Sequence, residues 1–268
     1  MEALKVRPGR RVRLAALDPA DTSAFHGPKK RALADSEKLA AKLGSLQELL
    51  YAVHGPSVLV VLQGLDTAGK DGTIRHVFDA VNPQGVRVAS FKVPTPIERD
   101  HDFLWRVHAH TPGRGEITIF NRSHYEDVLA ARVHHLVPKH VWKARYRSIN
   151  AFERNLTHEG TIVIKFLLHI SLAEQRRRLE ARLADPTKHW KFSAGDLAER
   201  PLAPEYEAAF EEMLSKTSTP WAPWYVVPSD KKWFRDWAIS SILVEAVERL
   251  DLTWPSLPPE FKSVRIPP

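Results

Sequence analysis

The chain has 268 residues, 43% of them hydrophobic and 26% charged, the composition of a soluble globular protein with ample material for a core. It contains no cysteine, which excludes disulfides and thiolate metal sites. Its net charge of +7 concentrates polyanions at the surface, so nucleic acid, an anionic membrane and a phosphate-rich small molecule are the candidate partners.

Residues 1–28 carry five basic residues and no periodic pattern, and read as an irregular N-terminal extension wrapping the domain. The opening MEALKVRPGRRVRL lacks an apolar h-region and a small-residue cleavage site, so it does not read as a secretory signal. From Lys29 a helix is predicted: Leu39, Leu43, Leu46 and Leu50 share one face, and His54-Gly55-Pro56 stops it. Ser57–Gln63 (SVLVVLQ) has the pattern of a strand buried on both faces of a parallel sheet. Similar runs recur at Val86–Phe91, Glu116–Phe120, Thr161–Ile170 and Trp224–Val227, with helical periodicity between them. That alternation predicts an α/β domain with right-handed crossovers. None of these runs is long enough to span a bilayer, so no membrane partner is expected and the cytoplasm is the expected compartment.

Leu172–Lys191 reads as a helix carrying six Lys/Arg against three acids, leading into a Trp-Lys-Phe-Ser turn. Lys232–Leu250 reads as a long helix entered through Trp221, Trp224, Tyr225, Trp233, Phe234 and Trp237, aromatic residues expected in the core. Beyond Trp254 five prolines predict an extended tail over 255–268. With no repeat and no linker, one domain over 1–268 is expected.

The segment Gly64-Leu65-Asp66-Thr67-Ala68-Gly69-Lys70-Asp71-Gly72-Thr73 follows an apolar run and precedes a helical pattern, as a phosphate-binding loop requires. Gly64, Ala68, Gly69, Lys70, Asp71, Gly72 and Thr73 are the candidate phosphate-binding residues. Glycines let backbone N–H groups converge on phosphate oxygens, and the following helix points its positive end at them. Asp71 stands where Ser or Thr usually follows the lysine, and Asp66 lies inside the loop. Two carboxylates beside a polyanion repel it unless cations lie between, which points to Mg²⁺.

Asn121-Arg122-Ser123-His124-Tyr125-Glu126-Asp127 follows another apolar run, at the carboxyl edge where parallel sheets bind ligands. Arg122 has the charge to neutralise a transferring phosphoryl group. Among 13 histidines no pair has zinc-ligand spacing, and His108, His110, His134 and His135 read as surface or packing residues.

GLDTAGKDGT, FNRSHYEDV and RLADPTKHWKFS together resemble the second family of polyphosphate kinases, from about Lys29 to about Leu250. Tyr125-Glu126-Asp127 is similar to the branch that accepts AMP as well as ADP, whereas Asn121 stands where other branches tend to carry aspartate. The resemblance implies a P-loop kinase-like, parallel five-stranded sheet flanked by helices, with a helical lid at about 172–200. It implies reversible, Mg²⁺-dependent phosphoryl transfer from inorganic polyphosphate to AMP and/or ADP, forming ADP and ATP. Asp66, Lys70 and Arg122 would be catalytic; Asp66, Asn121, Glu126 and Asp127 would bind nucleotide. Asp66 and Asp127 would hold metal, and Arg178, Arg182, Lys188 and Lys191 would close over polyphosphate. Two other readings stay open: an ATP-dependent kinase of nucleosides or nucleoside monophosphates, and a non-enzymatic polyanion binder. The latter lacks a recognisable nucleic-acid module, so no nucleic-acid partner is expected. A homo-oligomer is compatible with the sequence.

Overall fold

All seven residues of the SVLVVLQ run are buried in strand β1 (Ser57–Gln63), and because successive side chains face opposite layers of the core, every residue between Ser57 and Gln63 is apolar. Leu59 and Val61 face one layer of the core, while Val58, Val60 and Leu62 face the other. Fully burying one such aliphatic side chain contributes roughly 1.5–3 kcal/mol. The computed structural model describes residues 1–261 and 264–266. Around β1 the chain forms α1 (Lys29–Val53), α2 (Lys70–Val77), β2 (Val86–Ala89), the one-turn helices α3 (Pro96–Arg99) and α4 (Trp105–His108), and β3 (Ile117–Asn121). There follow α5 (Ala130–Val133), α6 (Lys139–His158), β4 (Thr161–His169), α7 (Leu172–Ala184), α8 (Ala194–Glu199), α9 (Ala203–Thr217), β5 (Trp224–Pro228) and α10 (Lys232–Glu248).

The five strands form one parallel sheet in the order β2-β3-β1-β4-β5. On one face, α1, α2 and α10 cover Val58, Val60, Leu62, Ile164, Phe166 and Leu168. On the other, α6 and α9 cover Leu59, Val61, Val163 and Leu167 through Ile149, Phe152, Phe210 and Met213. Because β1 and β3 run parallel with Leu62 opposite Asn121, the segments leaving both strands emerge side by side. The chain moves from β1 to one side of the sheet for β2 and β3 and to the other for β4, so this edge is the switch point where such sheets bind ligands. No helix is long and apolar enough to cross a membrane among the described residues.

Several boundaries differ from the sequence reading. β2 stops at Ala89 rather than Phe91, because the chain turns away before Pro94, although Phe91 stays buried. The predicted Leu172–Lys191 helix divides. Asp185 precedes Pro186 and is extended, as the proline ring favours, and its Oδ1 accepts from the Thr187 N–H to open a 3-10 turn, Pro186–Lys191. The N-terminal extension contains 3-10 turns at Glu2–Leu4 and Leu14–Ala16 and bridges Tyr225 through Lys5. The expected extended tail holds a 3-10 turn at Pro259–Phe261, and its residues 262–263 and 267–268 lie outside the described residues. Trp224 is in the core as expected, but Trp105, Trp190, Trp221 and Trp254 are exposed.

Candidate active site

The loop after β1 needs backbone conformations that side chains rarely adopt. Gly69 caps α2 at φ 112°, and a Cβ there would overlap the Arg235 guanidinium. Lys70 opens α2 and donates from Nζ to the Gly64 and Leu65 carbonyls at 2.7 and 3.3 Å, so the loop is closed around its own lysine. Burial, with Arg122 acting in the same direction, holds the Lys70 ammonium below its ordinary value. The Thr67 and Thr73 hydroxyls are buried without a hydrogen-bond partner among the described residues.

The structure brings Arg122 onto this loop: its Nη2 donates to Asp66 Oδ1 at 2.5 Å. Arg122 itself has a φ of 62°, and its N–H donates to the Leu62 carbonyl at 3.2 Å, which bends the chain off β3 towards β1. Burial opposes the Arg122 charge, but Asp66 and Glu126 outweigh it and raise its pKa. Asn121 meets Asp71 rather than Asp66, its Nδ2 donating to Oδ1 at 2.8 Å. Glu126 accepts from the Gln63 amide at 3.1 Å when the Gln63 oxygen accepts from Ser123. Burial raises the Glu126 carboxyl, and Arg122 and Lys70 only partly offset it.

Asp127 sits between two arginines, Arg145 at 3.2 Å and Arg106 at 3.4 Å. Burial nevertheless raises its pKa. Asp66 and Asp127, paired in the sequence reading as metal ligands, thus meet different arginines. No group of three or more His, Asp or Glu side chains suited to a metal exists among the described residues.

The four cations expected in the lid are placed unequally. Arg178 is buried and donates to the Thr67 and Ala68 carbonyls at 3.0 and 2.9 Å, to the Ser229 and Asp230 carbonyls at 2.6 and 3.3 Å, and to Glu174 at 2.7 Å. It ties α7 to the loop after β1. Arg182 donates to the Lys191 carbonyl at 3.3 Å, and Lys188 pairs with Asp185 at 2.6 Å. Lys191 lies 3.8 Å from Asp71 and over the exposed Trp190 ring.

These groups line two cavities. A groove of about 530 Å³ is walled by the loop from Asp66 to Gly72, by Asn121 and Arg122, and by Arg177, Arg178, Arg182, Lys188, Lys191, Lys232 and Arg235. A second cavity, about 600 Å³, joins an apolar wall of Phe91, Val93, Phe103, Leu136 and Val137 to Arg99, Arg106, Arg145, Glu126 and Asp127. Arg122 lines both. Sequence reasoning missed Arg106, Arg145, Lys232 and Arg235, which lie outside the recognisable motifs and converge only through the fold, and it left Arg177 out of the lid cations although it lies within Leu172–Lys191. The one available signal was the basic excess.

A family model described as Polyphosphate kinase 2 matches residues 28–253. The chain is 54% identical to an AMP/ADP-polyphosphate phosphotransferase from Meiothermus ruber over 99% of both chains. It is 46% identical to an ADP-polyphosphate phosphotransferase from Rhodopseudomonas palustris over 81% of this chain and 80% of that one. The crystal structure of polyphosphate kinase 2 from Arthrobacter aurescens TC1 shares 44% identity and a TM-score of 0.92, covering 96% of this chain and 91% of that chain. With its loop lysine, its Arg122–Asp66 contact and these matches over most of its length, the chain belongs to the polyphosphate kinase 2 family.

Proposed function

We propose that this chain is a phosphotransferase that moves phosphoryl groups reversibly between inorganic polyphosphate and adenine nucleotides, with AMP and ADP as acceptors and ADP and ATP as products. The observation that carries this reading is that Arg122 lines both cavities, one walled by cations and the other part apolar. A polyanion without apolar surface suits the first; a nucleotide, with an apolar base and a short phosphate tail, suits the second. The relatives' names, AMP/ADP-polyphosphate and ADP-polyphosphate phosphotransferase, support the same substrates. The cytoplasm, where adenine nucleotides are held, is the natural setting.

In this mechanism an acceptor phosphate oxygen attacks the terminal phosphorus of polyphosphate. A new P–O bond forms as the terminal anhydride bond breaks, and the shortened polyphosphate leaves with the electron pair. The attacking oxygen is already ionised, so positioning and charge neutralisation do most of the catalysis. Lys70 and Arg122 face the transferred group from the donor side and from the junction of the cavities. Arg106 and Arg145 orient Asp127 towards the acceptor. Mg²⁺ commonly needs only one or two carboxylates when phosphate oxygens complete its shell, so the Asp66 carboxylate on the groove wall fits it without a protein cage. When bound there it would neutralise phosphate charge. Asp127 would join as a second ligand only by giving up contact with an arginine.

The test is incubation of purified protein with Mg²⁺, AMP or ADP and polyphosphate, without nucleoside triphosphate, followed by chromatography of the nucleotides. ADP and ATP should form from AMP, and ATP from ADP. Phosphorylation from ATP alone, with none from polyphosphate, would establish an ATP-dependent nucleoside or nucleotide kinase instead.

A further inference from the structure

His124 and Tyr125 stand between Arg122 and Glu126 in the sequence, yet neither is among the residues lining the two cavities. Both are fully buried and turn to a charged pair in the core, Glu153 of α6 and Lys165 of β4, each with zero side-chain exposure. Glu153 Oε2 accepts from Lys165 Nζ at 2.5 Å. Its Oε1 accepts from the Tyr125 hydroxyl at 2.7 Å and lies 3.2 Å from His124 Nε2. Lys165 Nζ also donates to the Tyr125 hydroxyl at 2.9 Å and to the Thr217 carbonyl of α9 at 2.8 Å. The three N–H groups of the ammonium therefore have three acceptors, drawn from the turn after β3, from α6 and from α9.

A buried ion pair is a weak source of stability, because desolvation of both charges offsets much of their attraction. It does supply direction. One set of rotamers satisfies all these donors and acceptors, and a small slip leaves a charge unpaired in a low dielectric. The geometry points to Glu153 and Lys165 as positioning residues that hold the Ser123–Tyr125 side of the turn in the core, so that Arg122 and Glu126 on its other side face the acceptor phosphate. The inference rests on the polyphosphate kinase reading for the identity of that phosphate, and not for the positioning itself.

Tyr125→Phe removes the hydroxyl that donates to Glu153 and accepts from Lys165, leaving His124 as the turn's other contact with the pair, and keeps the ring and the Glu153–Lys165 contact. It should lower kcat/KM for AMP and ADP about tenfold. The KM for polyphosphate should stay within about twofold, while Tm falls by several degrees, because one buried Lys165 N–H loses its acceptor. Backbone amides of residues 123–127 should exchange faster, while those of β3 and α6 stay as in the wild type. Glu153→Gln combined with Lys165→Met removes both charges at once and should reproduce the acceptor-side loss without the Tm falling by more than about 3 °C. Wild-type kcat/KM and wild-type exchange in Tyr125→Phe would overturn the proposal, leaving the pair a packing feature. So would equal losses for polyphosphate and nucleotide accompanied by general loosening. A wild-type protein inactive with polyphosphate would sink the functional reading instead, and the exchange comparison, which needs no substrate, would still decide the positioning.

Discussion

Lys70 is held against the loop it serves, with its Nζ 2.7 Å from the Gly64 carbonyl. Lys70→Ala should lower kcat by about 10²–10³-fold, the usual effect of losing one preorganised electrostatic contact. Tm should move by less than about 3 °C, because burial opposes the Lys70 charge and offsets much of what its two hydrogen bonds to loop carbonyls contribute. Steady-state kinetics and thermal unfolding check both, and a variant keeping a third of its activity would remove the loop from the chemistry. Glu126 carries a different consequence. Its carboxyl is raised above the ordinary value of 4.5 by burial, with Arg122 and Lys70 offsetting only part of the shift. A carboxyl raised on folding holds its proton more tightly in the folded state, so at a pH above the raised value its ionisation destabilises the fold. Glu126→Gln should therefore raise Tm relative to wild type near pH 8, and the gap should close as the pH falls through the raised value. The same variant should lower kcat/KM for AMP more than for ADP, because AMP presents one phosphate where ADP presents two and leaves space that the site itself must fill. An unchanged AMP-to-ADP ratio would leave Glu126 without a part in acceptor choice.

At the scale of elements, α7 is not free to swing as one piece. Arg178 and Gln175 tie its first half to the backbone of the phosphate loop, the latter through the Asp66 carbonyl at 3.0 Å. The 3-10 turn Pro186–Lys191 beyond it is largely exposed. Hydrogen exchange on adding polyphosphate with Mg²⁺ should therefore slow mainly across residues 186–192 and little across 172–179. Uniform slowing over all of 172–192 would show the lid moving as a unit, and no slowing would return it to a plain surface element. The glycines at the start of α2 offer a graded comparison. Gly69→Ala meets both a φ of 112° and the Arg235 guanidinium, and should cost about 1–3 kcal/mol of stability along with activity. Gly72→Ala brings a Cβ only to 3.4 Å from Arg235 Nη2 and should be milder in both assays.

For the molecule as a whole, the net charge of +7 is gathered in part on one groove, where Arg177, Arg178, Arg182, Lys188, Lys191, Lys232 and Arg235 share a wall. A long polyanion meets many of these charges at once, whereas a nucleotide meets few. Raising the salt from about 50 to about 300 mM should thus raise the KM for polyphosphate several-fold more than the KM for AMP. Parallel rises in the two constants would argue against the groove as the polyphosphate site.

The sheet, the strand–loop–helix at Gly64–Thr73 and the Arg122 turn were legible in the sequence because each is a local pattern. A nearly all-apolar β-branched run calls for burial on both faces, and the Gly64–Thr73 segment carries a glycine where α2 is capped at a φ of 112°. Asp185-Pro186 was also visible there, but its effect on the Leu172–Lys191 helix was overridden by the charge pattern and missed. What no local pattern carries is convergence. Arg106, Arg145 and Asp127 lie tens of residues apart and meet only because α4, α6 and the turn after β3 pack around one cavity. Arg178 reads in sequence as one more lid cation, and only the packing of α7 against the loop turns it towards four backbone carbonyls. Lys165 is a lone charge inside the apolar run Thr161–Ile170, and nothing in the sequence links it to Glu153. Only the stacking of α6 on β4 brings them together beneath Tyr125, since a buried charge finds its partner through tertiary contact and not through sequence spacing.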